Sequence, residues 1–510
     1  MMESTDCTSK TRLLGIDIGT SACKTALFDI RGNVAASASE GYPLRRPAPG
    51  FAEQDPEDWW RAVCLTVRRC IEESGTDPTD IAGIGVDGHS WSAIAMAGDR
   101  VLCPDPIWMD VRSAEICDRM PAELKERLFS VSGNPLTANY VTGKLLWYRE
   151  NLPDVWKKTE YLLSSEGYIN YRLTGSVTWC RGEGYGIHCY DIAKGVWDRS
   201  VCADLGLRTD ILPELFDGCD IIGRVTKEAA AATGLAAGTP VVAGTVDSAA
   251  AALGAGVVRP GETQEQGGQS GGMSICEEGP YADPRLILCS HAVPGLWLLQ
   301  GGTVGGGGVI KWASEQFGRY EAERASASGL SVPAQFDIEA ESAPPGSDGL
   351  IFLPYMAGER TPVWDPDAKG VFFGIDYSKT RAHFLRAAME GVAYSLLHNL
   401  ETASECGAKI TELRSTGGSA NSRFWTQMKC DMTGIPVSVP NSDNGANLGS
   451  AILAGVGTGV FASFEEAVAA TVSEKRRHEP APGMKEFYRA GYEKYLEIYE
   501  RLKSLMRSQN

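Results

Sequence analysis

Residues 13 to 36, LLGIDIGTSACKTALFDIRGNVAA, place two apolar runs, 13 to 18 and 24 to 30, on either side of a Gly-Thr-Ser turn. A second turn at Arg31-Gly32-Asn33 opens a third run. This order predicts a β-meander in which a strand, and not a helix, follows the glycine turn. P-loop and dinucleotide sites need a strand, a glycine-rich turn and then a helix N-terminus, so both are excluded here. A phosphate at this turn is instead met by the backbone N–H groups of a hairpin, a nest-like anion site. A comparable strand pair recurs at GETQEQGGQSGGMSICEE, 261 to 278, and alternating helices and strands follow each. The simplest architecture is two similar α/β lobes with a cleft between them, 1–256 and 257–510, divided where Gly256, Pro260 and Gly261 break the pattern.

The chain is long enough, at 510 residues, to bury such lobes without disulfide or metal staples. Its 58 glycines exceed the roughly 7% average. Much of the excess falls at 15–19, 244–274, 301–308, 417–418 and 445–459, read here as phosphate turns, nucleotide turns and tight strand–helix turns. Lys plus Arg number 48 against 65 Asp plus Glu, a net charge of −17. That sign disfavours sequence-independent binding to nucleic acid or anionic membrane, while a single ATP needs only local donors. Fourteen scattered cysteines without a C-x-x-C pair read as reduced thiols, and the polar start MMESTDCTSKTR lacks a signal-peptide core. Both fit a cytoplasmic protein. The one stretch long and apolar enough to suggest a membrane span, 234 to 258, contains Pro240, five glycines and Asp247, and reads better as a buried strand (241–246) followed by a helix (248–254).

FAEQDPEDWWRAVCLTVRRCIEES, 51 to 74, has the marks of a helix start, with Asp55 as N-cap and Pro56 at N1. Residues 81–90 read as a strand entering a loop, and 383–407 as a long helix with Gly407 as C-cap. Residues 413–437 read as strand, Gly-Gly loop and helix. Tyr488, Tyr492, Tyr495 and Tyr499, spaced by four, three and four, predict a helix docked on the core. Gly268-Gln269-Ser270-Gly271-Gly272 fits the nucleophile-elbow pattern of hydrolases, but that elbow needs a helix after the serine, and a turn and strand are expected here. Ser21-x-x-Lys24 with Ser442-Asp443-Asn444 imitates two β-lactamase boxes without the third. The six histidines show no metal-ligand spacing.

What remains is two Gly/Ser/Thr hairpins, a glycine-rich segment at 301–308, a Gly-Gly loop at 417, and two isolated acids at strand ends, Asp17 and Asp247. Phosphoryl transfer needs these parts: backbone donors for phosphates, a carboxylate for Mg²⁺ and a base for the attacking hydroxyl. Each acid also has a structural reading, Asp17 as a turn residue and Asp247 as a helix N-cap.

In combination the segments resemble the FGGY carbohydrate kinases, a family of the actin-like, ribonuclease H-like ATPase fold that includes xylulokinase, gluconokinase and glycerol kinase. GIDIGTSACKTALFD, EQDPEDWW, IWMDVR, GTVDSAAAALGAG, LPYMAGERTPVWDPDAKGVFFGI and GGSANSRFWTQMKCDMTGIPV resemble its motifs in the family's order, from about residue 12 to about 460. The resemblance implies ATP and Mg²⁺, with Asp247 as the general base and Asp17 holding the metal through water. It places Gly19, Thr20, Ser21 and Lys24 at the first phosphate hairpin and Gly268, Gln269 and Ser270 at the second, where the family usually has Gly-Thr-Ser. It places Gly307 and Lys311 at the nucleotide, and Gly418 and Asn421 at the adenosine.

For the sugar, the resemblance implies Asp247, Ser90, Trp91, Asp110, Arg112 and Asn139. The loop His89-Ser90-Trp91-Ser92 departs from the Gln-Met-His-Gly frequent in xylulokinases, and Trp91 reads either as a sugar-stacking face or as core. The implied substrate is a small sugar, a ketopentose such as xylulose first, with gluconate, erythritol or ribulose as alternatives and a homodimer as a compatible assembly. A non-catalytic nucleotide sensor of the same fold is the competing reading; it needs neither Asp247 nor the Trp-x-Asp-x-Arg loop.

Overall fold

The computed structural model describes residues 11–441 and 444–507. The polar start with Cys7, and Ser442 and Asp443 of the β-lactamase-like triplet, lie outside the described residues. Strands β1 (Arg12–Ile18), β2 (Ala22–Asp29) and β3 (Val34–Gly41) form the expected antiparallel meander, with Asp17 opposite Lys24 across the first hairpin. Helix α1 (Pro56–Ser74) starts where Asp55 accepts the Glu57 N–H at 3.1 Å and ends at Gly75 in the left-handed conformation. Strand β4 (Ile81–Gly88) runs parallel to β1. β5 (Ile221–Arg224), β6 (Pro240–Val242) and β7 (Thr245–Val246) complete a sheet of order 5-6-4-1-2-3, with β7 paired to β4. The run 241–246, expected as one strand, is broken at Gly244: its φ is 76°, and a side chain there would strike the Val86 carbonyl. Helix α2 (Asp247–Gly254) follows.

The second sheet repeats this plan. β8 (Glu262–Gly267), β9 (Gly271–Glu277), β10 (Ile287–Ser290), β11 (Trp297–Thr303), β12 (Glu412–Thr416), β13 (Val437–Pro440) and β14 (Glu474–His478) lie in the order 10-11-9-8-12-13-14. Antiparallel strands around the hairpin give way to parallel β12 and β13 and an antiparallel edge, as in the first sheet. This is the two-lobe α/β architecture expected of an actin-like fold.

The helices of this half include α3 (Gly307–Phe317), α4 (Arg381–Glu405), α5 (Arg423–Thr433), α6 (Gly445–Gly457) and α7 (Met484–Arg507). The cap of α4 is Cys406, not Gly407, which takes its positive φ one residue later. Tyr488, Tyr492, Tyr495 and Tyr499 of α7 are buried against the core, where the Tyr495 and Tyr355 hydroxyls meet at 2.7 Å and Tyr499 donates to Asp365 at 2.6 Å.

Helix α6 corrects the expectation that the glycines of 445–459 make strand–helix turns. Most lie inside the helix, which comes from the second half of the chain but packs on β1, β4 and α2 of the first lobe. Contact is backbone to backbone: a Cβ on Gly15, Gly85, Gly254 or Gly449 would fall closer than 3.0 Å to a main-chain oxygen across the interface. Asn447 fastens the helix by donating to the Gly15 and Lys24 carbonyls at 3.1 and 2.9 Å. Among the described residues no helix is long and apolar enough to cross a membrane, and the cysteines are free thiols.

Candidate active site in the cleft

The first hairpin is held from three sides. Tyr42 donates to the Gly19 carbonyl, Gln54 to the Thr20 carbonyl at 2.7 Å, and the Trp108 indole to Thr20 Oγ at 2.9 Å. Ser21 is exposed at the tip. Lys24 is also exposed, with its ammonium 3.8 Å from Asp17.

Parallel pairing of β1 with β4 sets Asp17 beside Asp87, and pairing of β7 with β4 delivers Asp247 to the same sheet end. Burial, then the charge of Asp17, push the Asp87 carboxyl well above its ordinary range. Asp87 accepts a hydrogen bond from Ser450 of α6 at 2.6 Å. Asp247 is not the N-cap that the structural reading allowed: Val246 occupies that position and Asp247 is the first helical residue. Burial first, and then the negative charge of Asp17, raise its carboxyl to about 7.

At the second hairpin, β9 follows Ser270 directly, so the strand required by the hairpin replaces the helix of a nucleophile elbow. The carbonyls of Gly268 and Gln269 accept the N–H groups of Gly307 and Gly308 at 2.8 and 2.9 Å, which seats the tip on the start of α3. Gly306 has to lack a side chain because a Cβ would strike the Ser270 backbone. Beneath the hairpin, buried Lys429 donates to Glu265 at 2.6 Å and to Ser419 Oγ at 3.0 Å, tying β8 to the Gly-Gly loop.

Two cavities meet at this tip. One of about 370 Å³ lies between the lobes and is lined by Thr20, Ser90, Trp91, Trp108, Tyr185, Asp247 and Ser248 from the first lobe. From the second it takes Gln264, Gly268, Gln269, Ser270 and Arg360. The other, about 680 Å³, is lined by Gly268, Gln269, Gly307, Lys311, Gly418 and Asn421, with Ile310, Phe336 and Trp425 as apolar walls. The structure thus gathers Gly268, Gln269, Gly307, Lys311, Gly418 and Asn421 around one pocket, with Gly268 and Gln269 shared between both cavities and Ser270 facing the inter-lobe one.

On the sugar side Trp91 packs in the core, its ring tilted 4.3 Å from Tyr140, and also lines the inter-lobe cavity. Its φ of 66° is one that non-glycine residues rarely adopt. That backbone is fastened by Glu183, which accepts the Trp91 N–H, and by buried Lys144, which donates to the Trp91 carbonyl at 2.6 Å. Ser90 Oγ accepts from Tyr185 at 3.1 Å.

Asp110, Arg112 and Asn139 are a correction: none lines the cavity. Asp110 is fully buried, with its carboxylate spent on the Ala52 N–H at 2.7 Å and on Arg112. Arg112 also binds Glu53 at 2.7 Å and lies 3.9 Å over the Phe51 ring. Asn139 donates to the Trp108 carbonyl at 2.8 Å. These three hold the loop that aims Trp108 into the cleft. Trp108 stood within the quoted IWMDVR segment; the signal was its aromatic face, passed over in favour of the charges beside it. Tyr185, Ser248 and Arg360 were also missed, since only the fold brings them to the cavity.

Comparison with known proteins agrees with this geometry. Models of the N-terminal and C-terminal domains of the FGGY family of carbohydrate kinases match residues 12–254 and 278–458. The chain is 31% identical over 496 residues to the xylulose kinase of Bacillus subtilis (strain 168), covering 97% of each chain. It is 31% identical over 480 residues to the gluconokinase of the same strain, covering 94% of this chain and 93% of that one. Among solved structures, a xylulose kinase from Rhodospirillum rubrum superposes with a TM-score of 0.89 at 30% identity, covering 97% of this chain and 100% of that one.

Proposed function

The chain belongs to the FGGY family of carbohydrate kinases, and from that premise we propose that it phosphorylates a ketopentose such as xylulose, with Asp247 as general base. It is an ATP-dependent sugar kinase. The observation that carries the proposal is the shared cavity: Asp247, Ser90, Trp91 and the tips of both hairpins line one space between the lobes.

In this reading the reacting hydroxyl lies against Asp247. Its oxygen forms a bond to the γ-phosphorus of ATP while the bond from that phosphorus to the β–γ bridging oxygen breaks. The electron pair of that bond leaves with ADP, and the hydroxyl proton passes to the Asp247 carboxylate. The hairpin tips offer backbone N–H groups to the phosphates, and Gly418 and Asn421 border the space left for adenosine. Trp91 and Trp108 give the sugar its apolar faces, and Ser90 and Ser248 give it polar contacts.

Asp17 fits Mg²⁺. Its carboxylate is a hard oxygen donor at the base of the first hairpin, at the sheet end that also carries Asp247. Among the described residues no group of three or more His, Cys, Asp or Glu side chains forms a metal cage, and Mg²⁺ commonly uses one or two carboxylates together with water and phosphate. When bound, the ion neutralises charge on the phosphate oxygens. Burial raises the Asp17 carboxyl above its ordinary range, and the Lys24 ammonium, 3.8 Å away, opposes that shift.

A coupled ADP-release assay over ketoses, polyols and sugar acids tests the substrate. A ketopentose is expected to give the highest kcat/KM; gluconate in that place would favour the sugar-acid reading, for which a relative exists. The pH dependence tests the base. Asp247 has to be ionised to accept a proton, so kcat/KM is expected to rise about tenfold per pH unit below about 7 and to level above it. A profile that stays flat over the two units below neutrality removes Asp247 from the role.

A further inference from the structure

Arg360 is the only basic side chain among the described residues lining the inter-lobe cavity. Its guanidinium makes no hydrogen bond or ion pair with any described residue. The bonds at this residue belong to its main chain: its N–H donates to Glu359 Oε1 at 2.8 Å and its carbonyl accepts the Trp364 N–H. The same oxygen of Glu359 takes the Val304 N–H at 2.7 Å, and burial raises the Glu359 carboxyl to about 7, which leaves it a weak counter-charge. Burial also lowers the affinity of Arg360 for its proton, yet an arginine remains charged throughout the physiological range. Arg360 is half-buried, and a cation partly withdrawn from water without an anion is costly, so the cavity suits an anion that arrives with a ligand.

Location narrows which anion. The guanidinium lies over Gly302, where a Cβ would stand 3.2 Å from it. Gly302 pairs with Gly272, two residues beyond Ser270 at the tip of the second hairpin. On its other side Arg360 faces the Trp108 ring, 5.7 Å to the centroid, across the cleft from the second lobe to the first. It therefore borders the space between the hairpin tip and Asp247. The neutral hydroxyls of a sugar are served there by serine, glutamine and tyrosine side chains. The charged part of the reacting pair is the phosphate.

We propose that Arg360 is a catalytic residue that donates to the oxygens of the phosphoryl group in transit, while its bond to the sugar oxygen forms and its bond to ADP breaks. The proposal rests on the kinase reading with Asp247 as base. Arg360→Ala and Arg360→Lys in the full chain, assayed with the best sugar of the panel, test it. Arg360→Ala is expected to lower kcat about 100-fold, with the KM values for sugar and ATP held within roughly threefold. Arg360→Lys is expected to retain more activity, and added guanidinium at sub-denaturing concentration to restore part of the loss in the alanine variant. Unchanged kcat overturns the proposal. So does a rise in sugar KM alone, which would make Arg360 a contact of the sugar or of a sugar carboxylate, and so does a loss that guanidinium leaves unrestored. Absence of sugar-stimulated ADP release in the unsubstituted protein across the panel would instead overturn the kinase reading beneath it.

Discussion

Asp247→Asn is expected to fold, to bind ATP with unchanged affinity and to lose sugar-dependent ADP release by roughly a thousandfold. The amide keeps the size of the carboxylate and the position at the start of α2, so packing is preserved. It cannot accept the hydroxyl proton, so the oxygen must attack while still protonated. The substitution also removes a buried acid raised by burial and by Asp17, so the thermal midpoint is expected to hold or rise. Titration calorimetry with ATP and the coupled assay separate binding from turnover. Near-normal turnover in this variant would falsify the assignment of the base.

Gly254→Ala and Gly449→Ala are expected to be strongly destabilising single methyl additions. In α2 and α6 these glycines face the opposite helix, and the added Cβ would fall on the Gly445 and Ala250 carbonyls respectively. Backbone cannot rotate away as a side chain does, so each helix has to move, at a cost of about 3 kcal/mol. Because α2 begins with Asp247, the displacement is also expected to lower kcat. Gly445→Ala is the control. The nearest atom to its Cβ is the Ala251 oxygen at 3.9 Å, so its effect on stability is expected to stay within about 1 kcal/mol. Urea unfolding of the three variants checks the ordering, and equal midpoints would remove the close helix contact as its cause.

The parts legible in the sequence are those set by local chemistry. The strand–turn–strand order at Asp17 to Lys24, the Asp55–Pro56 helix start and the tyrosine stripe of α7 each depend on neighbours a few residues away, and each folds as read. The hydrolase pattern at 268–272 was dismissed on the same ground, the absence of a following helix. Long-range approach was not legible. Gly449 looks like a helix breaker until the Ala250 backbone is placed against it. Asp110 and Arg112 were the charged residues of their loop and were read as ligands, whereas they neutralise each other so that Trp108 reaches the cleft. Asp247 read equally well as a cap or as a base, and only the parallel register of β7 with β4 sets it beside Asp17 and Asp87. Arg360 lies within the segment LPYMAGERTPVWDPDAKGVFFGI, but nothing local singles out its side chain; its meaning comes from a guanidinium left, among the described residues, without a hydrogen bond or ion pair after folding.

The reach of α6 into the first lobe has a consequence for how the chain is made. All strands of the first sheet have been synthesised by residue 246, yet the helix that covers one of its faces spans 445–457. For nearly two hundred residues of translation the nascent first lobe presents Gly15, Gly85 and Gly254 as a bare, side-chain-free groove awaiting its last helix. A nascent chain stalled before residue 445 is therefore left with an open back to its first lobe, a natural place for a chaperone to hold it, and two separately expressed halves can be joined functionally only if the second half carries that helix across.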